Sequence, residues 1–246
     1  KQGTEKVTET IFWERSVSLF TLNFGRADSE SGGDLGHEVA SRMWVSVQLA
    51  LPIFILQVFS STAFALLLVM FRHTKLDLWG VVLCVLMLSI SSLFYIIVGQ
   101  YLFSRVLKLV PISGYAAGLD LVRFLALPVV LSAVARLGTE ARLYRAMFLE
   151  EIGKDYVRTA RAKGLSEIVV LFRHVLRNAL IPIVTSMGGY LPYVFMGSLV
   201  FESFFGIPGL GAYVIEAIGK QDFALVRTMV FVGSLLYIAT YILIDI

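Results

Sequence analysis

The sequence reads as an all-α protein, a multi-pass transmembrane helical bundle with five spans, on three observations. Long apolar runs recur along the chain, each with the roughly 20 residues a helix needs to cross a hydrocarbon core of about 30 Å. The 246 residues are 57% hydrophobic and only 16% charged, with a mean hydropathy of +0.80, too apolar for an ordinary soluble domain. Basic residues collect between the apolar runs, the asymmetry that orients membrane proteins. Topology alone thus accounts for the net charge of +3 and the sequence pI near 9.0, and no nucleic-acid partner is expected.

Residues 1–42 are mixed and polar, with Gly32, Gly33 and the acids Asp28, Glu30, Asp34 and Glu38, and form an aqueous-facing segment ahead of a membrane domain over 43–246. The pattern from Ile11 to Phe24 does not fix a helix. The chain opens at Lys1 with no initiator Met and no basic-then-apolar leader, and it closes at Ile246 inside an apolar run, so both ends are expected to continue.

The first span, Val45 to Phe71, has Gln48 and Gln57 as polar exceptions and Pro52 near its start, where a kink is tolerated. Arg72, His73, Lys75 and Asp77 make a tight charged turn into a second span, Leu78 to Phe103, and a loop this short makes the two helices antiparallel neighbours. His73, flanked by Arg72 and Lys75 and with no cluster at metal spacing, reads as a solvated side chain rather than a ligand. Cys84, the single cysteine, lies in an apolar run and reads as a packing residue.

Arg105, Lys108, Pro111, Ser113 and Gly114 form the next loop, and the third span follows over Tyr115 to Arg136. In it Asp120 and Arg123 share a helical face and pair near the membrane surface. The helix then continues as a polar extension through Glu140, Arg142, Arg145 and Glu150. A fourth span, Asn178 to Val200, carries Pro182, Gly188, Gly189, Pro192 and Gly197, so a kinked, closely approached helix is expected, with Pro182, Gly188, Gly189 and Pro192 as candidates for the pathway. Residues 201–224 hold a turn cluster, Gly206 to Gly211, and a short amphipathic helix to Ile218. The fifth span runs from Leu225, with Arg227 at its entrance and Asp245 at its exit.

The polar stretch from Lys154 to Pro182 is where function is expected. At 100° per residue Tyr156, Val157 and Ala160 fall on one face and Lys154, Arg158 and Arg161 on the opposite one, a short amphipathic helix. Gly164 sits where a helix end needs positive φ, with Ser166 as the next N-cap and Glu167 in the first turn of a second helix. That helix carries an apolar stripe of Ile168, Val169, Leu171, Phe172, Val175 and Leu176, and leads into the fourth span. Nine Lys or Arg residues lie between Arg136 and Arg177 inclusive and only Lys220 in 201–224, which puts 140–177 in the cytoplasm and 1–42 and 201–224 outside.

The run YVRTARAKGL from Tyr156, followed by RHVLRNALIP from Arg173, resembles the cytoplasmic loop of permease subunits in binding-protein-dependent ABC importers, the dipeptide, oligopeptide and nickel group. The general signature has Glu and Ala where this chain has Arg158 and Thr159, and agrees at Ala160 and Gly164. Glu202, Phe204, Phe205 and Pro208 to Gly211 resemble the outer loop of the same permeases. The resemblance is strong from Ala141 to Leu225 and looser back to Leu35. It implies a type I ABC importer permease fold, with a sixth span upstream of residue 1 and a short tail beyond Ile246. It also implies a second permease subunit, two ATPase subunits and an extracytoplasmic solute-binding protein in a bacterial or archaeal inner membrane. The residues implied to contact the ATPase are Tyr156, Val157, Arg158, Thr159, Ala160, Arg161, Ala162, Lys163 and Gly164.

The chain has no G-x-x-x-x-G-K-[ST] run; Gly219-Lys220 is preceded by Val214 at the first Gly position and followed by Gln221. It has no nucleophile elbow or HExxH either. No catalysis, cofactor or metal is expected in this chain, with ATP and Mg expected in the partner ATPase. Two other readings are a membrane scaffold or assembly protein without transport, and a secondary transporter. The last usually shows two related halves and mid-membrane charges, and neither an internal repeat nor a mid-membrane carboxylate is read here.

Overall fold

The computed structural model describes Phe24, residues 35–116 and residues 118–245. Most of the aqueous segment expected over 1–42, including the stretch 11–23, lies outside the described residues. Among those described there are helices and no strands: α1 (Leu35–Met70), α2 (Lys75–Ser89), α3 (Ser92–Val106, ending in π-helical turns), α4 (Leu121–Ile152), α5 (Asp155–Ala162), α6 (Glu167–Gly188), α7 (Leu191–Met196), α8 (Leu199–Phe205), α9 (Leu210–Gly219) and α10 (Phe223–Asp245). α1, α4, α6 and α10 are each long and apolar enough to cross a membrane, and the bent pairs α2–α3 and α7/α8–α9 bring the number to as many as six.

Four expectations change. The first span begins at Leu35, so Pro52 lies in the helix interior rather than near its start. The second span is not one helix: α2 and α3 meet at 89°, because Ile90 and Ser91 are extended (φ −91°, ψ 128° and φ −62°, ψ 143°). No Gly or Pro marks this break. It is held by side chains, the Tyr95 hydroxyl donating to the Met87 carbonyl at 3.1 Å and the Ser89 hydroxyl to that of Val85 at 2.9 Å. The third span starts only at Leu121 and runs unbroken through its polar extension to Ile152. The fourth begins at Glu167; Pro182 sits inside α6, and the interruption comes at Gly189–Tyr190.

The helices group into two compact units, one from residues 51–191 and one from 192–246 with the described part of 1–50. In the first, the Asp77 carboxylate accepts both Nε and Nη2 of Arg145, at 2.9 and 2.7 Å, so the charged turn is tied to α4 rather than merely solvated. Further along, Cys84 packs with Leu68 and Ala141 in a small buried cluster. A Cβ on Gly138 would lie 2.5 Å from the Cys84 carbonyl oxygen, so α2 and α4 touch backbone to backbone there.

In the second unit Leu35, Val39, Leu210, Ala217, Leu225 and Met229 form the core. Glu202, fully buried, closes the α8–α9 corner: its carboxylate accepts the backbone N–H groups of Ser198 and Ala212, each at 3.1 Å. Ser46 of α1 accepts the Leu210 N–H at 2.8 Å. Carboxylate and hydroxyl fill the space that Cβ atoms on Gly197 and Gly209 would need. These two glycines thus leave room for an acid that caps the start of α9.

Gly138→Leu is expected to overpack the α2–α4 contact at a cost of about 1–3 kcal/mol, read as a lower unfolding temperature in detergent. Glu202→Ala orphans two buried N–H groups and should cost about 2–4 kcal/mol, with Glu202→Gln milder because its amide oxygen still accepts one of them.

Candidate functional site

The chain leaves α4 through a turn in which the Gly153 N–H donates to the Glu150 carbonyl at 3.1 Å and that of Lys154 to Glu151 at 3.2 Å. Lys154 is extended (φ −74°, ψ 153°) and opens α5, with Asp155 in the first turn, where a negative charge suits the helix dipole. The Glu151 carboxylate accepts from both the Lys154 ammonium and the Tyr156 hydroxyl. Burial and that bond push the Tyr156 phenol up to about 12, and the Glu151 contact raises the Lys154 ammonium as well, so tyrosine stays a neutral donor and lysine a cation.

The far end of α5 stops as its sequence requires. Gly164 has φ 78°, the Gly164 N–H donates to Arg161 at 2.9 Å and the Leu165 N–H to Ala160 at 3.4 Å, a Schellman closure. Ser166 is the extended residue before α6 but makes no side-chain cap. The two helices are clamped by Arg161, whose Nε and Nη2 donate to Glu167 at 3.0 and 2.7 Å, and Arg72 stands 3.6 Å from the same carboxylate.

The apolar face read from the sequence turns inward. Val157 is 0% and Ala160 4% exposed, packed with Tyr144, Phe148 and Ile152 of α4 and Val170, Leu171 and Val175 of α6, with Tyr156 half-buried beside them. Periodicity identified the apolar face correctly but not what covers it: two long helices of the same chain lie within reach. The outward face is polar and basic, with Asp155, Arg158, Thr159, Ala162, Lys163 and Gly164 exposed and Arg161 half-buried in its clamp. Immediately after it Leu165 and Ile168 are exposed, at 40% and 61%.

The apolar stripe expected on α6 is also redrawn. Ile168, Val169 and Phe172 are exposed, while Val170, Leu171, Val175, Ala179, Ile183 and Met187 are buried. The turn Val170–Val175 is π-helical, and from Leu171 the buried positions recur every four residues to Met187. Of the pathway candidates, Pro182 is half-buried within α6, Gly188 and Gly189 form its end, and Pro192 opens the next helix in the other unit.

Sequence reading missed one cluster. Glu140, expected in the polar extension, is 3% exposed and accepts from the Tyr190 hydroxyl, while the Arg136 guanidinium lies 4.4 Å from the Tyr190 ring centre. Only the i, i+4 spacing of Arg136, Glu140 and Tyr144 signalled it. Among the described residues no three His, Cys, Asp or Glu side chains gather at metal spacing.

Residues 39–246 match the family described as binding-protein-dependent transport system inner membrane component. A peptide transport system permease of Brucella suis is 34% identical over 99% of this chain and 79% of its own length. The dipeptide transport system permease protein DppB of Bacillus subtilis is 30% identical over 96% of the chain and 75% of its own. The glutathione transport system permease protein GsiC of Salmonella typhimurium is 29% identical over 99% and 78%. This chain therefore belongs to the binding-protein-dependent transport system inner membrane component family, as a membrane-spanning permease subunit of an ABC importer in the group that these relatives represent.

Proposed function

We propose that this chain forms part of the translocation pathway for peptides or a related small solute such as a nickel complex, and that a separate ATPase drives it through the outward face of α5. The observation that carries this reading is the division of labour on α5. Its apolar face is fixed inside the chain's own core, while Arg158, Thr159, Ala162 and Lys163 remain open to a partner. A helix seated in this way is a handle: force on its outer face passes into α4 and α6 by packing.

The remaining parts of the machine follow from family membership and charge. Two ATPase subunits holding ATP and Mg bind on the side of 140–177, which the basic excess assigns to the cytoplasm. A second permease subunit completes the pathway, and a solute-binding protein delivers cargo at the outer side, where 1–42 and 201–224 are placed. This chain hydrolyses no ATP. Closure of the ATPase pair shifts the handle and switches the permease pair between two packed states, giving alternating access.

Purification of the full-length protein from its host is expected to bring an ATPase subunit with it; its absence would favour the scaffold reading. The two faces of α5 separate in mutagenesis. Arg158→Glu with Lys163→Glu should reduce ATP-dependent uptake at least tenfold while leaving the unfolding temperature within a degree or two. Val157→Asp should instead destabilise the chain, since it buries an unpaired carboxylate. Gly164→Val forces a β-branched residue into positive φ, with no steric clash to confuse the result, and is expected to lower uptake per ATP hydrolysed. Uptake at the normal rate by the double charge reversal would refute the docking face.

A further inference from the structure

We propose that Arg136, supported by Glu140, Tyr144 and Tyr190, faces water on the translocation pathway and takes the carboxylate group of the transported solute. This rests on the reading of the chain as a peptide-group permease and adds a place and a chemistry to it.

The depth of the cluster comes from the pairing of α2 with α4. Asp77 meets Arg145 and, seven residues along α2, Cys84 meets Gly138, seven residues back along α4, so the two helices run antiparallel in one register. At 1.5 Å per residue Gly138 lies about 10 Å inside the level of the Asp77–Arg145 pair, and Arg136 about 13 Å, close to the middle of a core of roughly 30 Å. From Leu78 to Ser104 the neighbouring segment carries no charged residue, which marks this zone as hydrocarbon.

At that depth the Arg136 side chain is exposed on the chain, and Glu140, one turn away, is buried. A guanidinium facing lipid is strongly disfavoured, so the exposed side of Arg136 must face water or a partner subunit lining the same passage. Some other arginines of this unit have carboxylate partners, among them Arg123 with Asp120, Arg145 with Asp77 and Arg161 with Glu167. Among the described residues Arg136 forms no ion pair; its guanidinium carbon lies over the Tyr190 ring, 4.4 Å from the centre.

Tyr190 donates to Glu140, so the platform is fixed from both α4 and the end of α6. A planar guanidinium edge held on a rigid aromatic surface suits bidentate contact with a carboxylate.

The test uses the assembled transporter in inside-out vesicles, with Cys84→Ala as background. Arg136→Cys is compared with Leu86→Cys, which lies at the same depth on α2 and is 58% exposed. A membrane-impermeant cationic methanethiosulfonate should modify Arg136→Cys at least tenfold faster than Leu86→Cys. In reconstituted uptake of dialanine, Arg136→Ala should raise KM about tenfold, with binding-protein-stimulated ATP hydrolysis and unfolding temperature within twofold and two degrees of the parent, and Arg136→Lys should recover part of the loss. Equal labelling of the two cysteines overturns the pathway assignment. A lowered maximal rate with unchanged KM overturns the carboxylate contact. Wild-type vesicles that fail to take up dialanine overturn the carboxylate contact and the peptide reading together. The labelling comparison needs no solute and still decides whether Arg136 faces water.

Discussion

The constraint that shapes this chain is the absence of water in the hydrocarbon layer, which obliges each backbone group freed by a helix break to find a partner within the protein. The sharp corner between α2 and α3 stands because the Tyr95 hydroxyl reaches the Met87 carbonyl, whose helical partner the break removes. Another, between α8 and α9, stands because the buried Glu202 carboxylate collects N–H groups from both sides of the bend. In each case a polar side chain in an apolar setting replaces the hydrogen bonds that a continuous helix would have made. Such breaks let bent spans exist where a straight helix would otherwise be the only solution.

The same accounting shows what holds α5 in place. Full burial of a valine such as Val157 is worth about 1.5–3 kcal/mol, and Tyr156 and Ala160 add to the same contact. The Arg161–Glu167 pair is bidentate but partly exposed, with side-chain exposures of 33% and 48%, so screening reduces it to about 1 kcal/mol or less. Packing therefore dominates. The ion pair sets the angle between α5 and α6, and the shared core makes the two move as one piece. A handle held mainly by salt bridges would slip or depend on ionic strength; one seated in the core of α4 and α6 does neither to the same degree.

Much of this was legible in the sequence, and what was not has identifiable causes. Hydropathy located the apolar runs because span length follows from bilayer thickness. Gly164 was readable because the closing residue of a Schellman turn has a conformational requirement that few residues other than glycine meet. The Asp120–Arg123 pair followed from helical spacing alone and is present at 4.0 Å. The α2–α3 corner was invisible because its extended residues are Ile90 and Ser91, neither a strong breaker, and the groups that hold it act from neighbouring turns. The inward turn of Val157 and Ala160 was invisible for another reason: a hydrophobic face specifies that it be covered, and the identity of the cover is a tertiary fact. A single π-helical turn, Val170–Val175, was enough to move the stripe on α6, since period arguments assume an unbroken 3.6-residue helix.

Depth in the membrane is likewise a property of helix pairs rather than of one helix. Counted along α4 alone, Arg136 and Glu140 follow an apolar run and resemble the start of a cytoplasmic extension. Registered against α2 through Asp77–Arg145 and the backbone contact of Gly138 with Cys84, they stand level with the uncharged stretch of α2 around Val82 and Leu86. The cost of burying Glu140 there is met by Tyr190, and Tyr190 lies at the turn that ends α6, so the carboxylate and the helix end support each other. A charge kept at such a depth with its own dedicated partners is poorly explained by topology, since a charge placed only to orient the helix would sit at the interface, where solvation costs nothing.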